Sequence, residues 1–385
     1  MHIRNTAWLP LLTLACGGEP AEQEAYDSAT LAQYRLAIPA EARLVSSVPT
    51  ATSQPFALVA PVRAVLAEQA VGFARAVNAP ARSLVAVLRE IVDQPPSSFD
   101  ASRRAFTWGP WPSETGVGHV ALVVTKNEAG ADFAYSYALQ RSSDAEPENG
   151  WSVIVGATTP DPDASDRTVG VALWDLGLDS GFQLEHDPNY AADAGGSGRV
   201  VMLFGHAAGS RQALFNVALF RDFLPGSSDR DDPAMAPIDV DYFYGRFADD
   251  EGAVVDFVDS ELFADLCDGA PDSCFERDAI ADADERFGFN AFFVNQGLGR
   301  AEARLSEGDL TESVNMVECW GADLRQSSFS VRVPGDMVET VSNGSCEAPA
   351  DQSATALGLP TLGDIDPALL EAMSCAAENG LIGCE

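Results

Sequence analysis

Basic side chains are scarce in this sequence. Its 385 residues contain 23 Lys and Arg against 58 Asp and Glu, which gives a formal net charge of −35 at pH 7. Proteins that bind nucleic acids carry a basic surface, because their Lys and Arg side chains release counterions from the phosphate backbone. The charge therefore excludes nucleic acid as the main partner.

Long apolar runs and the common catalytic motifs are also missing. No stretch approaches the ~20 apolar residues that a membrane-spanning helix needs. The sequence has no G-x-S-x-G, Walker loop, strand-linked G-x-G-x-x-G or H-E-x-x-H. These absences favour a non-catalytic protein over an enzyme. Hydrophobic residues still make up 46% of the chain, which is ordinary for a protein with a packed core.

Only four histidines are present, and three of them follow the first few residues: His119, His186 and His206. Their separations fit neither one helix face nor one hairpin. A zinc site normally draws its ligands from more regular spacings. The three histidines are therefore predicted to be structural and not to share a metal.

The first residues have the outline of a secretory signal. Met1 to Arg4 is positively charged, and Ala7 to Leu14 is an apolar run of 8 residues. Leu12-Thr13-Leu14-Ala15-Cys16 resembles the lipobox of bacterial lipoproteins, although leucine is more usual where Thr13 stands. The resemblance implies cleavage before Cys16 and acylation of that cysteine. An ordinary secretory signal with an incidental cysteine is the alternative.

The resemblance to a lipobox also implies a cellular location. Several acyl chains on one residue anchor a protein to a membrane far more firmly than a single chain. Gly17 and Gly18 replace the aspartate that retains such lipoproteins at the inner membrane. The predicted location is the cell envelope of a Gram-negative bacterium, at the outer membrane.

Cysteine counting agrees with a lipid on Cys16. Seven cysteines are an odd number for a secreted protein, and removing Cys16 leaves six. Proximity alone suggests three disulfides, each between neighbours in the chain: Cys267 with Cys274, Cys319 with Cys346, and Cys375 with Cys384. A zinc cluster is the competing interpretation, but the intervals lack the C-x-x-C type of spacing.

Composition and hydrophobic periodicity divide the chain into five predicted segments. The first is a signal peptide, the second a lipid-anchored tether, the third a helical segment packed on a sheet, the fourth an antiparallel β domain and the last a linker with a C-terminal helix. Their bounds are 1–15, 16–54, 55–98, 99–350 and 351–385.

Four helices are predicted. One short helix, from Ser28 to Leu36, lies within the tether. Two amphipathic helices follow, the first starting at Pro61 and ending at a break over Asn78–Pro80, the second running from Ala81 to Asp93. The last opens at Asp366 and Pro367, as an N-cap and first helical residue.

From about Phe106 to Val333 the pattern has a period of two, which is typical of half-buried strands. Gly130 marks a hairpin loop between the first two of these strands. No helical pattern alternates with the strands, so the expected fold is mainly β with N-terminal helices (α+β), built on a long antiparallel meander. The predicted strands are His119–Thr125, Phe133–Leu139, Trp151–Gly156, Thr168–Leu176, Gly198–His206, Ala213–Phe220, Ile238–Phe247, Ala253–Val258, Phe287–Val294, Arg300–Leu305, Ser313–Trp320 and Phe329–Val333.

Two arrangements of this meander are open: a half-barrel, or a curved sheet with helices on one face. In a half-barrel the aromatic positions would line a cavity for a hydrophobic ligand. The alternative is that they form the core against the helices. The positions concerned are Phe133, Tyr135, Tyr137, Leu139, Phe215, Phe220, Tyr242, Tyr244, Phe292 and Phe293.

Two short motifs resemble those of uncharacterised lipoproteins from high-GC Gram-negative bacteria. The first is Thr107-Trp108-Gly109-Pro110-Trp111, a Trp-Gly-Pro-aromatic entry to the β region, and the second is Gly196-Ser197-Gly198-Arg199. The resemblance covers residues 100–345. It implies a location and a β-rich domain, but no activity.

Acidic residues concentrate between Arg221 and Asn290, where 20 Asp or Glu accompany 5 Arg. Oxygen-rich loops suit Ca²⁺, which takes six to eight oxygen ligands, although none of these loops has EF-hand spacing. A solvated acidic surface is the alternative. The candidate ligands are Asp229, Asp231, Asp232, Asp268 and Asp272, and no other cofactor is expected.

Three functions remain open. The first is a membrane-anchored, non-catalytic envelope protein that binds a partner protein or another ligand. The second is a half-barrel carrier of lipid or another hydrophobic ligand. The third is a secreted hydrolase with paired carboxylates, which would need a cleft holding two acids in opposed environments.

Overall fold

The fold is taken from a computed structural model of the chain. It describes residues 26–48, 63–113, 117–144, 150–160, 168–191, 194–207, 213–227, 237–248, 254–264, 285–295, 298–308, 310, 312–321, 323–333, 337–342, 346 and 367–379. Within these ranges, no helix is both long and apolar enough to cross a membrane. Cys16, the signal peptide and the five candidate calcium ligands lie outside them, as do Cys267, Cys274 and Cys384.

Helices lie at both ends of the described chain and at one point between strands. They are α1 (Ser28–Leu36), α2 (Glu41–Leu44), α3 (Val65–Asp93), α4 (Leu176–His186) and α5 (Pro367–Asn379).

A single antiparallel sheet forms the body of the molecule. Its strands are β1 (Ser98–Asp100), β2 (Ala105–Pro112), β3 (His119–Lys126), β4 (Tyr135–Ser142), β5 (Trp151–Thr159), β6 (Val169–Asp175), β7 (Ser197–Ala207), β8 (Ala213–Leu224), β9 (Ile238–Ala248), β10 (Val254–Ala264), β11 (Glu285–Val294), β12 (Gly299–Glu307), β13 (Val314–Trp320), β14 (Gln326–Val333) and β15 (Met337–Ser342).

The sheet is an open meander, which confirms the predicted fold class. Each strand is hydrogen-bonded to its neighbours in sequence, and the order in the sheet runs from β1 to β15 without a crossover. In the described residues β1 pairs with β2 alone and β15 with β14 alone, so the edges do not meet. Because every partner is the next strand along the chain, the local period-two pattern was sufficient to predict this topology.

The alternation of side chains along each strand defines the two faces of the sheet. On β11, Phe289, Ala291 and Phe293 are buried in the main core with α1, α2 and α3, and we call this side the core face. Phe292, between two of them, belongs to a second apolar cluster on the opposite side, the outer face. Helix α5 packs there through Met373, so helices cover both faces and not one as predicted.

Helix α3 corrects the prediction of two helices. It is continuous over 29 residues although Pro80 lies inside it. Proline in a helix interior removes a hydrogen bond and costs about 3 kcal/mol or more. Val77, Ala81 and Leu84 are nevertheless all buried, so one apolar face continues against the sheet through the predicted break. The sequence signal of Pro80 is outweighed by this tertiary packing.

The sheet also caps the start of α3. The N-cap residue Ala64 has no side chain that can accept a hydrogen bond. Instead the buried Glu318 on β13 accepts from the backbone N–H groups of Val65 at 3.0 Å and Leu66 at 2.5 Å. An acid at this position satisfies free helix donors and interacts favourably with the helix dipole.

The predicted tether is part of the folded body over 26–48. Helix α1 has the predicted bounds, and the Asp27 carboxylate caps it by accepting from the Thr30 N–H at 2.6 Å. Tyr34, Ile38 and Leu44 are buried in the main core. Composition had suggested a spacer, but these apolar side chains are sufficient to fix the segment to the sheet.

Helix α4 corrects the expectation that no helix interrupts the strands. It follows β6 directly, and Asp175 caps it by accepting from the Leu178 N–H at 2.8 Å. Its Phe182 is buried and packs edge-on against Trp151. The helix has only 11 residues, including two glycines and two acids, so its periodic signal in the sequence is weak. The C-terminal helix was predicted correctly, since α5 begins at Pro367.

One predicted disulfide is present. Cys319 on β13 is bonded to Cys346, with Cα atoms 5.5 Å apart. Cys375 on α5 is also disulfide-bonded. Its pairing with Cys384, and that of Cys267 with Cys274, stay predictions.

Candidate functional site: an arginine cleft on the outer face

The histidines do not assemble a site in the described residues. His186 lies on α4, where its ring stacks on Phe182 and its Nδ1 lies 2.9 Å from the Phe182 carbonyl oxygen. His119 lies on β3, and its buried Nδ1 has no partner in the described structure. No group of three His, Cys, Asp or Glu that could hold a metal occurs in the described ranges.

The predicted aromatic face splits between the two sides of the sheet. Tyr135, Tyr137 and Leu139 pack in the main core. Phe215 and Phe292 instead join the outer cluster. The aromatic residues of the core face contact the helices directly, as Tyr34 of α1 does with Phe106 and Tyr135. This packing matches the alternative that the aromatic positions form the core.

Another acid, in addition to Glu318, is enclosed on the core face. Asp256 is fully buried on β10, accepts a hydrogen bond from the Tyr244 hydroxyl at 2.7 Å and lies 3.8 Å from the Arg246 guanidinium. Burial raises the pKa of its carboxyl group. Its second carboxylate oxygen has no partner in the described structure. Helices close this side, so Asp256 is a feature of the core.

The open site lies on the outer face, where β10 to β14 form a cleft of about 680 Å³. Three arginines and three glutamates line it: Arg286, Arg304, Arg332, Glu261, Glu307 and Glu312. Ser306, Ser313, Asn315 and Leu310 complete the wall. The volume lies within the range of about 300–1,000 Å³ that small-molecule sites occupy.

The strand register explains the shape of the cleft. A row of directly paired residues crosses the sheet, from Glu261 through Gly288, Arg304 and Asn315 to Arg332. Gly288 has no side chain, and a Cβ built there would meet only the Arg304 carbonyl oxygen, at 3.9 Å. The cleft therefore has a floor of backbone between Glu261 and Arg304.

The arginines of the cleft differ in their partners. Arg286 lies 2.6 Å from Glu261 and 3.4 Å from Glu307, and these acids raise the pKa of its guanidinium. Arg304 is exposed and has neither a hydrogen bond nor an ion pair with any residue that the structure describes. Its planar guanidinium group holds five N–H donors in a geometry that matches the oxygens of a carboxylate or a phosphate. Arg304 is the available cation of the site.

Two acids beside the cleft have different environments. Asp259 and Glu261 lie two residues apart on β10, so their side chains share the outer face. Burial, assisted by the charge of Glu261, raises the pKa of Asp259 to about 6. Glu261 is instead paired with Arg286. A carboxyl group with a perturbed pKa at a cleft is typical of functional sites.

These cleft residues were not predicted from the sequence. Arg304 and Arg332 occupy the polar positions of alternating strands, which resemble any solvated β surface. A signal was available, because aligning adjacent strands of the meander places Arg304 opposite Gly288. Comparisons with protein-family models, curated protein sequences and solved structures found no match.

Proposed function

We propose that this chain is an envelope-anchored, non-catalytic binding protein whose cleft on β10–β14 takes a small anionic ligand. The observation that carries the proposal is Arg304, an exposed arginine without an acidic partner in the described residues, beside the open floor at Gly288. Within the described part of the chain, Arg304 lacks such a partner although the chain contains 58 acids. A ligand anion would supply the missing partner.

The experiment is a binding screen on the full-length protein. Isothermal titration calorimetry would measure a panel of small carboxylates, phosphates and sulfates against the wild type, R304Q and R103Q. Arg103 is an exposed arginine at the far end of the sheet, so R103Q matches the change in net charge. We expect at least one anion to bind the wild type and R103Q but not R304Q. Equal binding by all three proteins, or binding by none, would reject the cleft as the site.

Membrane attachment forms the second part of the proposal and is supported by the lipobox-like sequence at Cys16. Expression of the full precursor in a Gram-negative host, followed by mass spectrometry, tests it. The wild type should carry an acylated Cys16 and fractionate with membranes, whereas C16S should lose both properties. A wild-type protein without lipid at Cys16 would remove the anchor and the outer-membrane location.

A carrier of hydrophobic ligands draws less support from the packing. Its aromatic lining would have to face a void, but the core-face residues that were candidates contact α1, α2 and α3. Extraction of the purified protein with organic solvent, followed by lipid mass spectrometry, distinguishes the two functions. Stoichiometric lipid beyond the anchor would favour the carrier.

A second candidate function, a hydrolase with paired carboxylates, is favoured by Asp259 and Glu261. An acid with a pKa of about 6 beside an ion-paired carboxylate is the combination that glycoside hydrolysis requires. A panel of chromogenic glycosides tests this function. Turnover that disappears in both D259N and E261Q, but not in D132N, would support it. Binding without turnover would support the non-catalytic proposal.

A further inference from the structure

We infer that the ligand of the arginine cleft is a carboxylated, polyhydroxylated molecule of the sugar-acid class. This inference rests on the proposed function, because it specifies the anion that the same cleft binds. The ligand could be a free uronic acid or a single uronate unit within an otherwise neutral polysaccharide. Both present one carboxylate and several hydroxyl groups.

The balance of charges in the cleft argues against a polyanion. Three arginines line it together with three glutamates, so the lining has no net formal charge. The whole protein carries a net charge of −35, which repels multiply charged anions over long distances. A ligand with a single negative charge suffers least from this repulsion, while a phosphorylated ligand with two charges suffers more.

The position of the carboxylate follows from the arginine partners. Arg286 already contacts Glu261 and Glu307, so its guanidinium has two acidic partners before any ligand arrives. Arg304 has no partner in the described residues. Arginine binds carboxylates through two parallel N–H···O bonds, and this geometry fixes the orientation of the bound group. The carboxylate is therefore assigned to Arg304.

The remaining lining suits hydroxyl groups. A glutamate carboxylate accepts hydrogen bonds and would repel a second anion, so Glu261 and Glu312 select for donors such as sugar hydroxyls. Ser306 and Asn315 donate as well as accept, which matches hydroxyl groups in either role. Leu310 adds an apolar contact for the C–H groups of a sugar ring. A simple carboxylate such as acetate has no hydroxyl group to donate to these residues.

The floor at Gly288 provides space for a ring. The extended backbone of β11 is open here, because a Cβ at this position would have one contact, at 3.9 Å. Neighbouring Phe287 and Phe289 face the core, so at position 288 the floor of the cleft consists of backbone. A larger side chain at residue 288 would occupy the space between Glu261 and Arg304.

Calorimetric titration of the full-length protein tests the inference. The ligands are galacturonate, galactose, acetate and inorganic phosphate, and the proteins are the wild type, R304Q, G288V and R103Q. We expect galacturonate to bind the wild type at least tenfold more tightly than each of the other three ligands. R304Q and G288V should each weaken galacturonate at least tenfold, while R103Q should change its affinity less than twofold. An otherwise neutral oligosaccharide that contains one galacturonate unit and binds tenfold more tightly than free galacturonate would indicate a polysaccharide source.

The outcomes separate the inference from the proposed function. If acetate or phosphate binds as tightly as galacturonate and is lost in R304Q, the cleft binds anions but the sugar-acid class is wrong. If galactose binds as tightly as galacturonate, Arg304 does not recognise a carboxylate and the inference is wrong. If none of the anions of either panel binds, both the inference and the proposed function fall. Far-UV circular dichroism of each variant confirms that it is folded.

Discussion

The two faces of the sheet use the same strands for different purposes. On β10, Asp256 points into the core and is fully buried, while Glu261 points outward and pairs with Arg286 beside the cleft. The two acids are five positions apart, and an odd offset places them on opposite faces of the strand. The core face is filled by α1, α2 and α3, whereas the outer face of β10–β14 is open and charged. Stability should therefore depend on the first face and ligand binding on the second.

The largest expected effect is the loss of an aromatic side chain from the core face. Phe289 is 1% exposed and its ring lies 5.6 Å from that of Phe73 on α3. F289A should lower the free energy of unfolding by about 3–5 kcal/mol, because it removes a large buried group and leaves a cavity. Urea denaturation followed by tryptophan fluorescence measures the change.

The adjacent residue provides the control. Asn290 is exposed on the outer face of the same strand, so N290A should change the free energy of unfolding by less than about 0.5 kcal/mol. Similar losses for F289A and N290A would mean that the two faces are not distinguished as the register of β11 indicates.

A smaller loss is expected where the sheet caps α3. Glu318 accepts from two helix N–H groups and from the Gln326 side-chain amide at 2.6 Å. E318Q should lower the free energy of unfolding by about 1–3 kcal/mol, because an amide offers one acceptor oxygen and leaves a buried donor unsatisfied. Chemical denaturation measures this loss.

The matched control is Glu302, an exposed acid on β12 that is ion-paired with Arg300. E302Q should cost less than about 1 kcal/mol, since exposed ion pairs contribute little. If E318Q were as mild as E302Q, the contact between β13 and the start of α3 would not contribute to the fold as described.

The sequence predicts the strands of the sheet, but neither the continuous helix on the core face nor the cleft on the outer face. The strands and their order were predictable, because alternation is a local property and each strand pairs with the next one. The continuous helix α3 was not, since Pro80 is a strong local signal that only packing against the sheet outweighs. Predicting the cleft would have required the exact register of β11 against β12. A shift of one residue would place Gly288 beside Ala303 or Leu305 instead of Arg304.

A third test uses the pH dependence of stability at Asp259, which lies on the outer face of β10 between Phe257 of the apolar cluster and Glu261 of the cleft. Burial raises the pKa of its carboxyl group to about 6 in the folded protein, from the ordinary 3.8. The folded protein therefore binds this proton more tightly than the unfolded chain does. Stability from this group is fully present below its unfolded pKa and is lost as the pH rises through about 6.

Removing the charge should recover that stability. D259N should raise the free energy of unfolding at pH 7.5 by about 1–2 kcal/mol, less than the full shift implies because the side chain is partly exposed. The gain should shrink as the pH falls to 5, and urea denaturation at both values measures it. D132N, which removes an exposed acid from a loop, should change neither value. A gain that grew at pH 5 would contradict the direction of the shift.

The smallest expected effect on stability, at Gly288, separates the two faces most sharply. Glycine in a strand is unfavourable, and a β-branched residue is favoured there by less than about 1 kcal/mol. The Cβ of a valine would meet only the Arg304 carbonyl oxygen at 3.9 Å, so G288V should keep or slightly raise the thermal midpoint. The same variant fills the floor of the cleft and should lose ligand binding. If G288V is at least as stable as the wild type but does not bind the ligand, Gly288 contributes to ligand binding and not to stability. A lowered thermal midpoint would instead mean that Gly288 contributes to the packing of the sheet.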